Sequence, residues 1–150
     1  MKNDFSRQLD NIDAGISRFM NTWGTTALRV SLAIIFLWFG ILKPIGLSPA
    51  SEMVKATVGW MPVFNPDQWL SLIGWWEVAI GLSFLHYLTI RLAIALLALQ
   101  MVGTFMPLVL LPEVTFQAVP YAPTLEGQYI IKNLLIISAA LVIGGSVRQR

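Results

Sequence analysis

Residues 25–43 read TTALRVSLAIIFLWFGILK, and residues 68–88 read QWLSLIGWWEVAIGLSFLHYL. No charge falls between Arg29 and Lys43 in the first run. At about 1.5 Å per residue, that run reaches across a hydrocarbon core of about 30 Å once Arg29 and Lys43 extend toward the two interfaces. The second run has one ionisable group in its middle, Glu77, and ends near His86. Two further apolar runs follow, from about Ile90 to Leu111 and from about Thr124 to Val147. The expectation is an all-α integral membrane four-helix bundle with spans near 25–42, 68–88, 90–111 and 124–147.

Composition agrees. Of the 150 residues, 56% are hydrophobic and 12% charged. The mean hydropathy is +0.69. A soluble domain of this size buries too little of its chain to hide that much apolar surface. The net charge of +2 gives a nucleic-acid partner no electrostatic support. With no cysteine, disulfides, thiol redox chemistry and thiolate metal sites are excluded. Residues 1–21 carry charges throughout and lack the apolar core of a cleaved signal, so the first span is expected to direct insertion itself.

The connections have patterns of their own. Phe5, Leu9, Ile12, Ile16, Phe19 and Met20 fall within an arc of roughly 100° on a helix. Residues 1–21 therefore read as an amphipathic cytoplasmic surface helix, lying on the membrane or against the bundle, ahead of a transmembrane domain at 22–147. Ser48-Pro49 reads as an N-cap and first-turn proline opening a short interfacial helix in the first outer loop, with Glu52 in its first turn. Asp67 reads as the cap of the second span, and Pro107 as a kink near the outer end of the third. Pro112–Pro123 reads as a loop. Lys2, Arg7, Arg18, Arg29, Arg91, Arg148 and Arg150 would all lie on one side, against Lys43 and Lys55 on the other. This imbalance predicts both termini inside.

Ionisable groups within spans mark sites by default. Glu77 sits near mid-depth or slightly toward the outside, with Lys43 and Lys132 as candidate cations. Gln100 on the third span, and Gln128 and Asn133 beside Lys132 on the fourth, complete a candidate intramembrane polar site. Gly74 and Gly81 share the side of Glu77 and allow close helix approach. Two readings stand side by side: a Glu–Lys pair that fixes helix register, and a binding or proton-handling site. Trp38, Phe39, Trp75 and Trp76 crowd the same half, and they read either as bundle packing or as an aromatic pocket for a flat ligand such as a quinone. The lone His86 excludes bis-histidine haem ligation within one chain, the scattered carboxylates offer no metal cluster, and no nucleophile–base set or phosphate loop is present.

The run from Arg29-Val30 through Phe39-Gly40-Ile41-Leu42-Lys43, the stretch Gly74-Trp75-Trp76-Glu77-Val78-Ala79-Ile80-Gly81, and the segment Glu126-Gly127-Gln128-Tyr129-Ile130-Ile131-Lys132-Asn133 resemble the signature helices of the DoxX family of small prokaryotic membrane proteins. The YkgB-like reactive-chlorine-resistance proteins are similar in outline. The likeness covers about residues 22–146 and implies a four-helix bundle in the prokaryotic cytoplasmic membrane. It also implies association with redox metabolism, quinone-linked oxidoreductase subunits or oxidative-stress resistance. The family's recurrent polar positions match Arg29, Lys43, Glu77 and Lys132. Its frequent Lys-Asp is Lys132-Asn133 here, which removes a carboxylate. The expectation is a redox-associated membrane subunit without catalytic chemistry of its own, contacting quinone, with the lipid bilayer and other membrane subunits or further copies as partners. A small-solute or ion transporter and a purely structural subunit are the competing readings.

Overall fold

The structure, a computed structural model, describes residues 4–147. It is all-α apart from one small hairpin, and its long apolar helices are those of a multi-pass membrane protein. Among the described residues, three stretches are long and apolar enough to cross a membrane: Gln8–Leu42, Tyr87–Leu110 and Leu125–Val147.

The first helix, α1, runs unbroken from Asp4 to Leu42. The amphipathic stretch expected as a helix of its own is therefore the first half of α1, so far as the described residues show. Nothing in Asn21-Thr22-Trp23-Gly24 stops a helix outright. Thr22 even bonds back through Oγ1 to the Arg18 carbonyl at 2.8 Å. The helix ends where glycine permits it. Gly46 has φ +76°, Gly46 N–H donates to the Lys43 carbonyl, and Leu47 N–H donates to the Leu42 carbonyl at 2.9 Å. This is a Schellman closure around a left-handed glycine.

Helix α2 spans Ser51–Val58, two residues later than Ser48-Pro49 suggested. Ala50 occupies the N-cap without a side-chain bond, and Ser48 lies in the preceding turn, its carbonyl accepting from Ser51 N–H at 3.2 Å. Helix α3 spans Pro66–Leu85. Its cap is Asn65 and not Asp67. Gln68 N–H donates to Asn65 Oδ1 at 2.8 Å, Asn65 N–H donates to Gln68 Oε1 at 3.1 Å, and Pro66 fills the first position. Asp67 instead pairs with Lys55 of α2 at 2.7 Å, tying the short helix to the start of α3. The hydrogen bond to Asp67 raises the Lys55 pKa above its ordinary 10.5; burial, the next effect in size, works against it, and the charges of Asp67 and Glu52 add to the rise. The sign places this tie below pH 10.5, with loss as pH rises beyond it.

After a turn at Tyr87–Thr89, α4 runs Ile90–Phe105 and breaks at Met106, because Pro107 has no N–H to continue the ladder. The expected loop at 112–123 is partly ordered. After α5 (Pro107–Leu110) come a helical turn α6 (Pro112–Thr115) and an antiparallel pair, β1 (Phe116–Ala118) with β2 (Ala122–Pro123). Thr124 then caps α7 (Leu125–Ile131), accepting from Gly127 N–H, and α8 (Asn133–Val147) continues beyond a turn at Lys132. Asn133 Nδ2 donates to the Tyr129 and Ile130 carbonyls at 3.0 Å each, at the turn where the ladder is interrupted. An aspartate there could only accept, so the amide does work that a carboxylate would not.

The core joins Leu32, Ala33 and Phe36 of α1, Ile80 and Phe84 of α3, Ala93, Leu97 and Met101 of α4, and Ala140 and Ile143 of α8. Glycine sets the approach of α1 to α3. A Cβ on Gly74 would meet the Gly40 carbonyl at 2.7 Å and Lys43 Cβ at 2.8 Å, and one on Gly81 would meet Leu37 N at 2.8 Å. Gly103 has open space around it. In thermal unfolding in detergent, Gly81→Ala should therefore lose about 1–3 kcal/mol, while Gly103→Ala should be neutral or gain about 0.5–1 kcal/mol. Equal effects at the two sites would contradict this packing.

Candidate functional site

Glu77 is buried on α3, and its carboxylate receives donors from two other helices. Lys43 Nζ, just past the end of α1, ion-pairs with Glu77 Oε2. Gln100 Nε2, on α4, donates to Glu77 Oε1 at 2.7 Å. Lys43 is itself buried and reaches the Phe39 carbonyl at 3.4 Å. Local structure puts these groups together. Gly74, one turn before Glu77, lies against Gly40 and Lys43, so the α1 end is close enough for a lysine to reach inward. Gln100 Oε1 is buried and has no hydrogen-bond partner. Leaving any of these charges in apolar surroundings alone is expensive, and the mutual pairing is what makes their burial tolerable.

The site extends to the surface through one cleft of about 440 Å³. Lys43 lies in its wall with Pro44, Gly46, Ser48, Ser51, Ser71 and Leu70, and the Lys55–Asp67 pair crosses its α2 side. The cleft is thus lined by two lysines, three serines and the carboxylates of Glu52 and Asp67. Glu77 and Gln100 do not line it. Chemically, the arrangement combines cationic and hydroxyl donors with carboxylate acceptors at Glu52 and Asp67, and Glu77 lies behind Lys43 to hold its position. No group of three or more His, Asp or Glu residues fit to hold a metal occurs among the described residues.

Of the polar residues singled out in the sequence, Lys43, Glu77 and Gln100 come together, and Gln128, Lys132 and Asn133 do not join them. Lys132 is exposed and lies over the Tyr129 ring at 5.3 Å, Gln128 is exposed, and Asn133 serves its own helix. Depth did not decide the partner; the face did. Gly127 and Ile130 are the buried positions of α7, and a Cβ on Gly127 would meet the Thr115 carbonyl at 2.0 Å. That contact turns Gln128 and Lys132 outward. The aromatic residues also separate. Trp38, Phe39 and Trp75 are each more than half exposed, with Trp38 and Phe39 stacked on each other at 6.5 Å. Trp76 is half-buried and donates through Nε1 to the Leu96 carbonyl at 3.2 Å, which is packing of α3 on α4. The four do not enclose a common pocket. The Lys55–Asp67 pair and the cleft serines Ser51 and Ser71 were not singled out from sequence; Ser48 and Asp67 carried a signal there, and both were misread as caps.

Removing one partner of a buried ion pair leaves the other uncompensated. Glu77→Ala should lose about 3–5 kcal/mol of stability in detergent unfolding. Adding Lys43→Met should recover part of that loss, whereas adding Lys132→Met should not. Recovery with Lys132→Met alone would assign the wrong lysine.

Comparison of the chain with protein-family models, with curated proteins and with solved structures finds no match, so the likeness to the DoxX family rests on its three motifs.

Proposed function

We propose that the chain is a four-spanning membrane subunit, redox-associated and without catalytic chemistry of its own, whose outward-facing cleft receives the head of a hydrogen-bonding ligand such as a quinone. The observation that carries this reading is Lys43: a buried lysine, held by Glu77, in the wall of an open polar cleft. A quinone head carries carbonyl acceptors, for which Lys43 and the serine hydroxyls of the cleft are donors, while Glu52 and Asp67 on the α2 side supply acceptors that such a head would leave to water. The redox setting itself comes from the resemblance of the three motifs.

In this reading α3 also spans the membrane, second in chain order, and makes four with the three stretches above. Its 20 residues have the length, and Glu77, the paired tryptophans and the capping polar residues lower its apolar content. The basic residues near the described inner ends, Arg18, Arg29 and Arg91, support a cytoplasmic placement of both termini, with Lys2, Arg148 and Arg150 of the expected imbalance lying outside the described residues. Reporter fusions at Asn65 and Val119 should be external and one at Tyr87 internal; an external Tyr87 would invert the orientation and turn the cleft inward.

A second reading has its own support. Both Glu77 oxygens are already occupied by protein donors, as expected of a purely structural clamp. Quenching of tryptophan fluorescence by a short-chain water-soluble quinone, with the protein in nanodiscs, separates the two. Binding at the cleft gives saturable quenching that Ser71→Trp blocks while the protein stays folded. Linear quenching, identical in wild type and Ser71→Trp, would leave the structural reading standing and end the ligand one.

A further inference from the structure

Over residues 8–24, the amino-terminal half of α1 leaves its apolar side chains uncovered. Residues 8–24 are all exposed, and the first partly buried position is Thr25. Leu9, Ile12, Ile16, Phe19, Met20 and Trp23 are each at least half exposed. A soluble surface usually limits such patches to a few hundred Å². The row does not stop at the membrane end. Val30, Ile34 and Ile41 continue it along the same side of α1, again exposed, while the opposite side, with Ala33, Phe36 and Gly40, packs on the bundle. The helix thus presents one long apolar face that its own fold leaves uncovered.

We infer that this face is where a second copy of the chain docks, as a parallel two-stranded coiled coil. Three observations favour that occupant over the membrane surface. First, Phe5, Leu9, Ile12, Ile16, Phe19 and Trp23 follow one another at spacings of 4, 3, 4, 3 and 4, the alternation of a heptad seam. Second, α1 is unbroken. Its 39 residues make about 58 Å of helix against a hydrocarbon core of about 30 Å, so without a bend near Gly24 the apolar row projects out of the bilayer and does not lie along it. Third, the charges do not suit an anionic surface. Residues 1–24 hold Lys2, Arg7 and Arg18 against Asp4, Asp10 and Asp13, a net charge of zero where a surface-seeking helix carries a basic face.

The chemistry of the seam agrees. With Leu9, Ile16 and Trp23 at the a positions and Ile12 and Phe19 at d, Gln8 falls at g and Asp13 at the following e. In a parallel pair these two face each other across the seam, an amide donor against a carboxylate acceptor, with no like charges opposed. Two copies inserted in the same direction meet in parallel about an axis along the membrane normal. The arm offers on the order of 600 Å² per chain, counting roughly 100 Å² for each half-exposed large side chain, and Val30 at the next a position carries it toward the roughly 800 Å² per partner of a stable interface.

The absence of cysteine makes the test clean. Single cysteines are placed in the full-length protein in its native membrane at Ile12 and Ile16, on the seam, and at Asn11 and Ala14, off it. Mild oxidation should give disulfide-linked dimer at Ile12→Cys and Ile16→Cys, and roughly fivefold less at Asn11→Cys and Ala14→Cys. The wild type should run as a dimer by light scattering in mild detergent, and Ile12→Asp with Ile16→Asp should halve its mass. Equal cross-linking at all four positions would show random collision and overturn the proposal. So would no cross-linking together with spin labels at Ile12 and Ile16 that are accessible to lipid-dissolved oxygen, which would place the face on the membrane.

Discussion

A carboxylate in the middle of apolar helices must be satisfied by something other than water. Glu77 is that group here, and the bundle is arranged around it. Its two oxygens take donors from the end of α1 and from α4, so three helices meet at one residue of α3. Facing lipid, each ionisable group would cost about 2.5–3.5 kcal/mol on an insertion scale. Facing each other, they fix which end of α1 lies beside which turn of α3. The small residues make this meeting possible. Gly40 and Gly74 bring the two backbones so close that a Cβ on either would collide, and at that separation the lysine reaches the carboxylate.

The same junction explains the shape above it. Because α1 must end beside Glu77, the chain turns sharply through the left-handed Gly46 and lays α2 across the helix ends. The Lys55–Asp67 pair then fastens α2 to the start of α3. What is left between these pieces is the polar cleft that reaches Lys43. The cleft and the architecture are thus two consequences of one buried pair, which is why the clamp and the proposed ligand site are hard to separate by substituting Glu77 itself.

Much of this was legible in the sequence, and the failures have physical causes. Apolar runs gave the long helices because the bilayer or core demands uninterrupted hydrophobic length. The polar residues within and at the ends of those runs identified Lys43, Glu77 and Gln100, because few polar groups occur there by chance. Lys132 misled because depth can be counted along a sequence, whereas the buried face of α7 is set by the contact of Gly127 with Thr115 across a connection whose hairpin is not periodic enough to read. Asp67 misled because several residues before α3 can cap it, and the reciprocal bonds of Asn65 with Gln68 decide which does. The aromatic residues formed no pocket because clustering in depth says nothing about direction: Trp38 and Trp75 point outward from neighbouring helices, and only Trp76 turns toward α4.

The central claim is that Glu77 is held by Lys43 of α1. Solid-state nuclear magnetic resonance on the protein in lipid, with lysine side-chain nitrogen and glutamate carboxyl carbon labelled, measures the dipolar coupling between them directly. The account expects one strong lysine–glutamate coupling, abolished by Lys43→Met and unchanged by Lys132→Met. A coupling that survives Lys43→Met and vanishes with Lys132→Met, or no short lysine contact to Glu77 at all, would contradict it.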